Sequence, residues 1–380
     1  MLNLKVIGAG AAGNKAAIAL MERGFKKENV ILINSTKRDI PAEYQENSII
    51  FGTANTTLGG CGKERKIGKK LLMDDLKNNR VQLDNIADVD TNAVIIVAST
   101  EGGTGSAAAP LIAKYMRDVV NVPVIVALLF GFNNDVRGMQ NSIELSKELQ
   151  DDYGVICICN DRFLTDDNNT TDAEREANEK FADIVITLSG VNIYPSHQNI
   201  DDTDLLKIVT TPGYMMVESA DIGKIKSKEQ YNKTIMDIVA NTKLMSTNNG
   251  AKRIGVVYNI NKNVSNFIDT SATSLKNSYG TPYEFYSHIQ EVDKASVEWI
   301  ASGLPMPIAE IRDIHDKYLN FSNEVNKQKD LFFSDIGNLE ENEDDSMFDM
   351  LGSAGSKKAK EDFFNSMESS NKSKPAIEEY

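Results

Sequence analysis

The feature that most constrains this chain is a pattern that occurs twice: a continuous apolar run, a glycine-rich turn, then an alanine-rich stretch. Leu2–Ile7 leads into Gly8-Ala9-Gly10-Ala11-Ala12-Gly13-Asn14 and the helix-like KAAIALMERG. Ala93–Ala98 leads into Glu101-Gly102-Gly103-Thr104-Gly105-Ser106 and the helical stretch Ser106–Val119. Runs that are apolar at every position describe strands covered on both faces, the property of a parallel sheet between helices. Val30–Ile33, Ser48–Phe51, Val122–Phe130 and Gly154–Cys159 repeat the run, with helical segments at Lys63–Asn78 and Arg137–Leu149. The predicted fold class is α/β, a parallel-sheet, Rossmann-like domain. Ligands of such sheets sit at the carboxyl ends of the strands, and the glycine-rich and Asn-rich turns all fall on that edge.

Glycine turns between strand and helix let backbone N–H groups approach phosphate, whose charge suits a helix N-terminus. Gly8, Gly10 and Gly13 have the G-x-G-x-x-G spacing. A dinucleotide fold would also need an acid near the end of the second strand to hold ribose. Asn34-Ser35-Thr36-Lys37 stands there instead, which argues against an NAD(P) dehydrogenase. A Walker-type loop fails as well, because Gly62-Lys63 is followed by Glu64. Two phosphate-suited turns in one sheet point to a nucleotide gripped from two sides.

Residues 174–193 read as a long helix and Asp201–Val209 as a short helix with an acidic start. A second, smaller α/β unit follows, with strands Arg253–Tyr258, Glu284–Gln290 and Ser296–Ser302 and a helix over Val264–Lys276. Pro307–Val325 has helical spacing at Ile308, Ile311, Ile314, Tyr318 and Phe321. From about Asp335 the chain is rich in charge, Ser, Gly and Asn, as in disordered segments. Two short apolar knots interrupt it, Met347–Leu351 and Phe363–Met367; a solvated tail is the first reading of this stretch and docking motifs at the knots the second.

At 380 residues the chain is long enough for two or three domains. Its net charge is −14, of which −6 falls in residues 338–380 and −8 in the rest. Acidity throughout argues against direct binding to nucleic acid or to an anionic membrane. Only Lys5 precedes the first glycine turn, unlike a signal peptide. No apolar run approaches the ~18 residues that span a bilayer. Three cysteines (Cys61, Cys157, Cys159) are too few for a disulfide scaffold, and the scattered His197, His288 and His315 do not form a zinc site. A soluble, cytoplasmic protein is the expectation.

Gly102-Gly103-Thr104-Gly105-Ser106 resembles the tubulin signature G-G-G-T-G-[S/T]-G, with Glu101 for the first glycine and Ala107 for the last. The first glycine loop ending in Asn14, the Asn34 turn and Gly59-Gly60-Cys61-Gly62 accompany it in the family's order. So do Phe132 with Arg137 five residues on, Asn160-Asp161-Arg162, and Asn199-Ile200-Asp201-Asp202-Thr203-Asp204. The chain thus resembles the tubulin/FtsZ superfamily. Residues 34–39, residues 60–65 and the helical stretch after the last strand look most like the phage and plasmid tubulins of the TubZ/PhuZ group. MQNSIE (139–144), NDRFL (160–164) and the acidic loop look like FtsZ.

The resemblance implies a GTP-binding domain over 1–173, a central helix and the start of the acidic loop over 174–200, and a C-terminal activation domain over 201–302. A C-terminal helix over 303–334 and a disordered acidic tail over 335–380 would follow. It implies that Gly10, Ala11, Asn14, Gly102, Gly103, Thr104, Gly105 and Ser106 hold the phosphates of GTP or GDP. Gly62 and Lys63 would lie near the γ-phosphate, Arg137 would point to the nucleotide, and Asn160 and Asp183 would read the base, with Phe181 nearby. The family's acidic ribose contact after Phe132 is replaced by Asn133. Asp201 and Asp204, with Asn199 ordering their loop, would act on the nucleotide of the next subunit of a head-to-tail filament. Mg²⁺ would neutralise the phosphate oxygens without a dedicated protein metal site. The implied partners are other copies of the chain and a DNA-bound adaptor on the tail, for positioning plasmid or phage DNA in a bacterial or phage-infected host cytoplasm. The alternatives are an FtsZ-like cell-division protein and a non-catalytic nucleotide-binding scaffold.

Overall fold

The computed structural model describes residues 1–53, 59–149, 153–196 and 199–336. Among them, one sheet is built from β1 (Leu4–Ala9), β2 (Val30–Asn34), β3 (Ser48–Ile50), β4 (Ala93–Ser99), β5 (Val124–Phe130), β6 (Gly154–Cys159), β7 (Gly213–Asp221), β8 (Arg253–Ile260), β9 (Glu284–Glu291) and β10 (Ser296–Leu304). Their spatial order is β3-β2-β1-β4-β5-β6-β7-β10-β8-β9. Neighbours from β3 to β7 are parallel, as are β8 and β9, while β10 runs antiparallel to both β7 and β8. Every residue of β5 and β6 is buried, as their unbroken apolar sequence requires.

The helices are α1 (Gly10–Glu22), α2 (Arg65–Lys77), α3 (Gly105–Tyr115), α4 (Val136–Glu148), α5 (Thr170–Ser189), α6 (Asp202–Val209), α7 (Lys228–Ala240), α8 (Thr273–Tyr279) and α9 (Ile308–Ile336). The chain leaves β1 for β2 and β3 on one side and returns to β4 on the other. That reversal opens a crevice at the carboxyl ends of β1 and β4, where both glycine turns lie. Asn169 caps α5 by accepting from Thr171 N and Asp172 N, and Gly190, at φ +67°, ends it.

The junction of the two halves is narrow. β6 and β7 pair only at Gly154↔Gly213 and Val155↔Tyr214, after which β7 pairs with β10 as far as Asp221. The edge of β6 that this exposes is covered by the segment after α7. Cys159 N donates to Lys243 O and Met245 N to Cys157 O, each at 3.0 Å, and Tyr214 Oη donates to Met245 O at 2.8 Å. α5 packs against both β6 and β7 and so spans the junction. From the small half, α9 returns to pack on α4, and its Glu310 meets Arg162 at 2.6 Å.

Several elements differ from the sequence reading. β7 and α7 lie within residues 210–251, where that reading assigns no element. The predicted helix Val264–Lys276 is a short 3₁₀ turn, Ser265–Phe267, followed by α8. Asp269 breaks it by accepting from Ser271 N and Thr273 N, and Ala272 turns left-handed at φ +53°. α2 begins at Arg65 rather than Lys63, because Gly62 and Lys63 are both left-handed. The tail from residue 337 and its two apolar knots lie outside the described residues.

A Cβ on Gly13 would lie 2.2 Å from Val97 O, whereas one on Gly102 would meet nothing within 4 Å. Gly13→Ala is therefore expected to destabilise the fold by about 3 kcal/mol and Gly102→Ala by less than about 0.5 kcal/mol. Urea denaturation of the two variants checks the difference.

Candidate functional site: a cleft between two glycine turns

The two turns touch through their backbones. A Cβ on Gly10, whose φ is +74°, would lie 2.6 Å from Gly105 N, and one on Gly105 would lie 2.4 Å from Ala9 O. Glycine is thus required for the close approach, which sets the N-termini of α1 and α3 side by side. Neither helix has a side-chain cap or an acid in its first turn. α4, α5, α6 and α7 by contrast are capped by Asp135, Asn169, Asp201 and Ser227. The first-turn N–H groups of α1 and α3 are left for an anion, and the helix dipoles favour one there. Ala11 is exposed at the start of α1, and Cβ atoms on Gly60, Gly62 or Gly102 would enter open space.

The loop before α2 closes over the second turn. A Cβ on Gly103 would lie 2.7 Å from Glu64 N, so the two backbones are also in contact. Asn141 of α4 binds them together, its Nδ2 donating to Lys63 O and to Glu101 O at 2.9 Å each. Both cations expected at the nucleotide face are ion-paired here, Lys63 with Asp135 at 2.5 Å and Arg137 with Glu64 at 2.9 Å. Burial would raise the Asp135 carboxyl, but the Lys63 ammonium and the Gly138 N–H outweigh it and hold it below the usual range.

Two hydroxyls of the expected set are spent within the protein. Thr104 Oγ1 lies 2.9 Å from Ser35 Oγ, and the fully buried Ser106 donates to Gly102 O. Pro110 lacks the N–H that would bond Ser106 O in α3, and Arg65 Nη2 takes that carbonyl at 3.0 Å. The same guanidinium, 3 % exposed, meets Glu144 at 2.9 Å and Glu148 at 3.0 Å on α4.

At this edge three asparagine oxygens, those of Asn14, Asn133 and Asn160, are buried without a hydrogen-bond partner. Asn14 is wholly buried, with Nδ2 3.4 Å from Ile33 O. Unpaired buried acceptors of this kind are satisfied by a bound donor, which fits an N–H- and hydroxyl-bearing ligand. Glu101, which the sequence reading noted only as a departure from the glycine signature, also sits here. Its Oε1 accepts from Asn133 N at 2.8 Å, and burial pushes its carboxyl above the usual range. The Cys159 thiol beside Asn160 is pushed up to about 12 by burial and stays protonated at neutral pH.

α5 runs parallel to α1: Lys15 meets Glu174 at 3.7 Å, and Arg23 meets Asp183 at 3.3 Å. Asp183 is therefore not at the crevice. Its partner Arg23 lies beyond the far end of α1, ~20 Å along the helix from Gly10. Phe181 is fully buried in the core and presents no face for stacking. The acid of α5 that pairs with the first half of α1 is Glu174, through Lys15.

The acidic loop is at the opposite edge. Leu2 N donates to Ser189 O at 2.8 Å, and the amino group of Met1 meets Asp202, so the C-terminal end of α5 abuts the start of β1. Asn199 Oδ1 accepts from Ser196 N, and Asp201 Oδ1 caps α6 by accepting from Asp204 N, each at 2.8 Å. The Asp204 carboxylate has no hydrogen-bond or ion-pair partner among the described residues. The structure thus brings Gly10, Ala11, Asn14, Gly62, Lys63, Gly102, Gly103, Thr104, Gly105, Ser106, Arg137 and Asn160 to one edge. It sets Asn199, Asp201 and Asp204 about 30 Å away, the length of α5.

Residues 3–167 match the sequence profile of the Tubulin/FtsZ family, GTPase domain. The cell division protein FtsZ of Mycoplasmopsis pulmonis is 25 % identical over 316 residues, which are 80 % of this chain and 77 % of that protein. A GTPγS-form protofilament structure of TubZ from Bacillus thuringiensis serovar israelensis superposes with a TM-score of 0.68 at 17 % identity, covering 86 % of this chain and 94 % of that one. The GTPγS-bound protofilament of CetZ2 from Haloferax volcanii gives 0.65 at 18 % identity, covering 83 % and 99 %. The chain has the fold of these proteins.

Asn141→Ala would leave the Lys63 and Glu101 carbonyls without their shared donor and free two loops of the cleft. The expected result is a loss of about 2 kcal/mol of stability and ~10-fold weaker guanine-nucleotide binding. Urea denaturation and calorimetric titration with GTP measure the two effects.

Proposed function

We propose, from the match of residues 3–167 to the Tubulin/FtsZ family, GTPase domain, that the chain is a polymerising GTPase whose site is completed by the next copy in a head-to-tail filament. The observation that carries this reading is the ~30 Å between the glycine cleft and the acidic loop, at opposite ends of one helix. No side-chain motion within one chain closes that distance. Translating a second copy along α5 brings its Asp204 toward the cleft of the first. A contact between different faces does not close on itself, so it propagates as a filament.

In the proposed site the N–H groups at the starts of α1 and α3 hold the phosphates. Lys63 and Arg137 exchange their carboxylate partners for phosphate oxygens. The incoming Asp204 accepts a proton from the attacking water, with Asp201 and Asn199 holding the loop, and GTP and water give GDP and phosphate. Mg²⁺, bound together with the nucleotide, would supply neutralisation of phosphate charge. Among the described residues no three His, Cys, Asp or Glu side chains converge to hold a metal, so the ion would ride on the phosphates.

We assign the filament to moving or positioning phage or plasmid DNA in the cytoplasm of a bacterium or an infected host. α9, which follows directly from β10 and folds back onto α4, supports this, together with the TubZ-like residues 34–39 and 60–65. The acidic chain would reach DNA through an adaptor bound to its tail. A cell-division role is the second reading, favoured by the sequence similarity to FtsZ across 80 % of the chain.

Right-angle light scattering and phosphate release after addition of GTP and Mg²⁺ test the proposal. Wild type is expected to scatter and turn over, while Asp204→Ala scatters but hydrolyses ~100-fold more slowly. Absence of both signals from wild type would sink the polymerising-GTPase reading and leave a nucleotide-binding scaffold.

A further inference from the structure

Glu101 is an acid directly before the phosphate-suited glycines, a place where a negative charge opposes the expected ligand. Its carboxylate is largely buried and lies within electrostatic reach of Asp135 and Asp161, with Lys63 the cation that offsets them. Such a group persists at a cost, which calls for a role.

The surroundings limit what that role can be. Oε1 is held by the Asn133 N–H at 2.8 Å. Oε2 has no hydrogen-bond partner among the described residues and occupies the space beside Gly131. A Cβ on Gly131 would lie 2.2 Å from Oε2, so a glycine there is what leaves room for the carboxylate. Lys63 and Asp135 flank Glu101 on the side of the loop before α2, and Asp161 flanks it on the side of Asn160. The carboxylate therefore stands between the groups read as phosphate-facing and those read as base-facing. In a nucleotide the sugar lies between phosphate and base.

A carboxylate accepts hydrogen bonds from ribose hydroxyls, a task that related sheets give to an acid at the end of the second strand. Here that strand ends at Asn34, whose Nδ2 bonds the nearest acid, Asp39, at 3.2 Å. The loop after β5 offers Asn133 rather than an acid, and its side-chain oxygen is buried and unpaired.

We propose that Glu101 is the ribose-binding residue of the cleft, accepting from the sugar hydroxyls through Oε2 and selecting ribonucleotides over deoxyribonucleotides. The inference rests on the nucleotide reading of the cleft. It adds that sugar recognition has moved from the edges of the crevice to the first residue of the phosphate loop itself.

Calorimetric titration of the full chain with GTP and with 2′,3′-dideoxyGTP tests it, beside Glu101→Gln and Glu101→Gly. Hydrogen bonds to a charged acceptor lead to an expected preference of ~30-fold for GTP in the wild type. In either variant the preference falls to about 3-fold, through weaker GTP binding, while dideoxyGTP binds as well as before or better. An equal preference in wild type and folded variants, or none in wild type, overturns the role of Glu101 and leaves the GTPase reading standing. If wild type binds neither nucleotide, the nucleotide reading itself falls. The glycine variant provides the measurement if the glutamine variant does not fold.

Discussion

The cleft depends on two stretches of backbone touching with no side chain between them, Ala9–Gly10 against Gly105. That contact brings two helix N-termini together, each a partial positive charge with unbonded N–H groups. Side by side they repel, and they do so without capping side chains to spread the charge. An anion between them relieves the repulsion. Lys63 and Arg137 pair with Asp135 and Glu64 around the rim, which keeps the local charge balanced.

Behind the contact, a second set of interactions keeps the turns from spreading. Pro110 opens a gap in the hydrogen bonding of α3, and Arg65 fills it while gripping two acids of α4. Asn141 joins the loops on either side of Gly103 through two carbonyls. A buried guanidinium, through its two terminal nitrogens, and a buried amide, through its Nδ2, thus lock α2, α3 and α4 to the floor of the cleft. Losing either partner would strand the other, which makes the arrangement specific as well as stable.

The strands around the cleft were legible because residues such as those of Val94–Ala98 are apolar throughout, and the turns because glycine marks close approach. The break at Asp269 was not, since an acid looks the same whether it caps a new helix or decorates an old one. β7 is rich in Met and small residues and carries Glu218 and Asp221, which hides a central strand. α7 did leave a signal, Ser227 with Gln230 three residues on, where Ser227 accepts from Gln230 N. Asp183 was misplaced because helical spacing tells which residues share a face but not how far along its neighbour a helix sits. Only the pairs Lys15–Glu174 and Arg23–Asp183 set that register. Glu101 read as an imperfection in a glycine motif, because its bond to Asn133 and the space at Gly131 belong to another loop.

The two-pair seam between β6 and β7 has a mechanical meaning. A sheet joined so briefly resists shear between its halves poorly, whereas a helix of twenty residues is stiff along its axis. Force applied to the acidic-loop end of the molecule would reach the glycine cleft through α5, with the 243–245 segment on β6 and the packing of α9 on α4 as the other ties across the seam. In a polymer of such subunits, curvature would be set at the seam and axial tension borne by α5 and these ties, so bending and pulling would load different parts of the same chain.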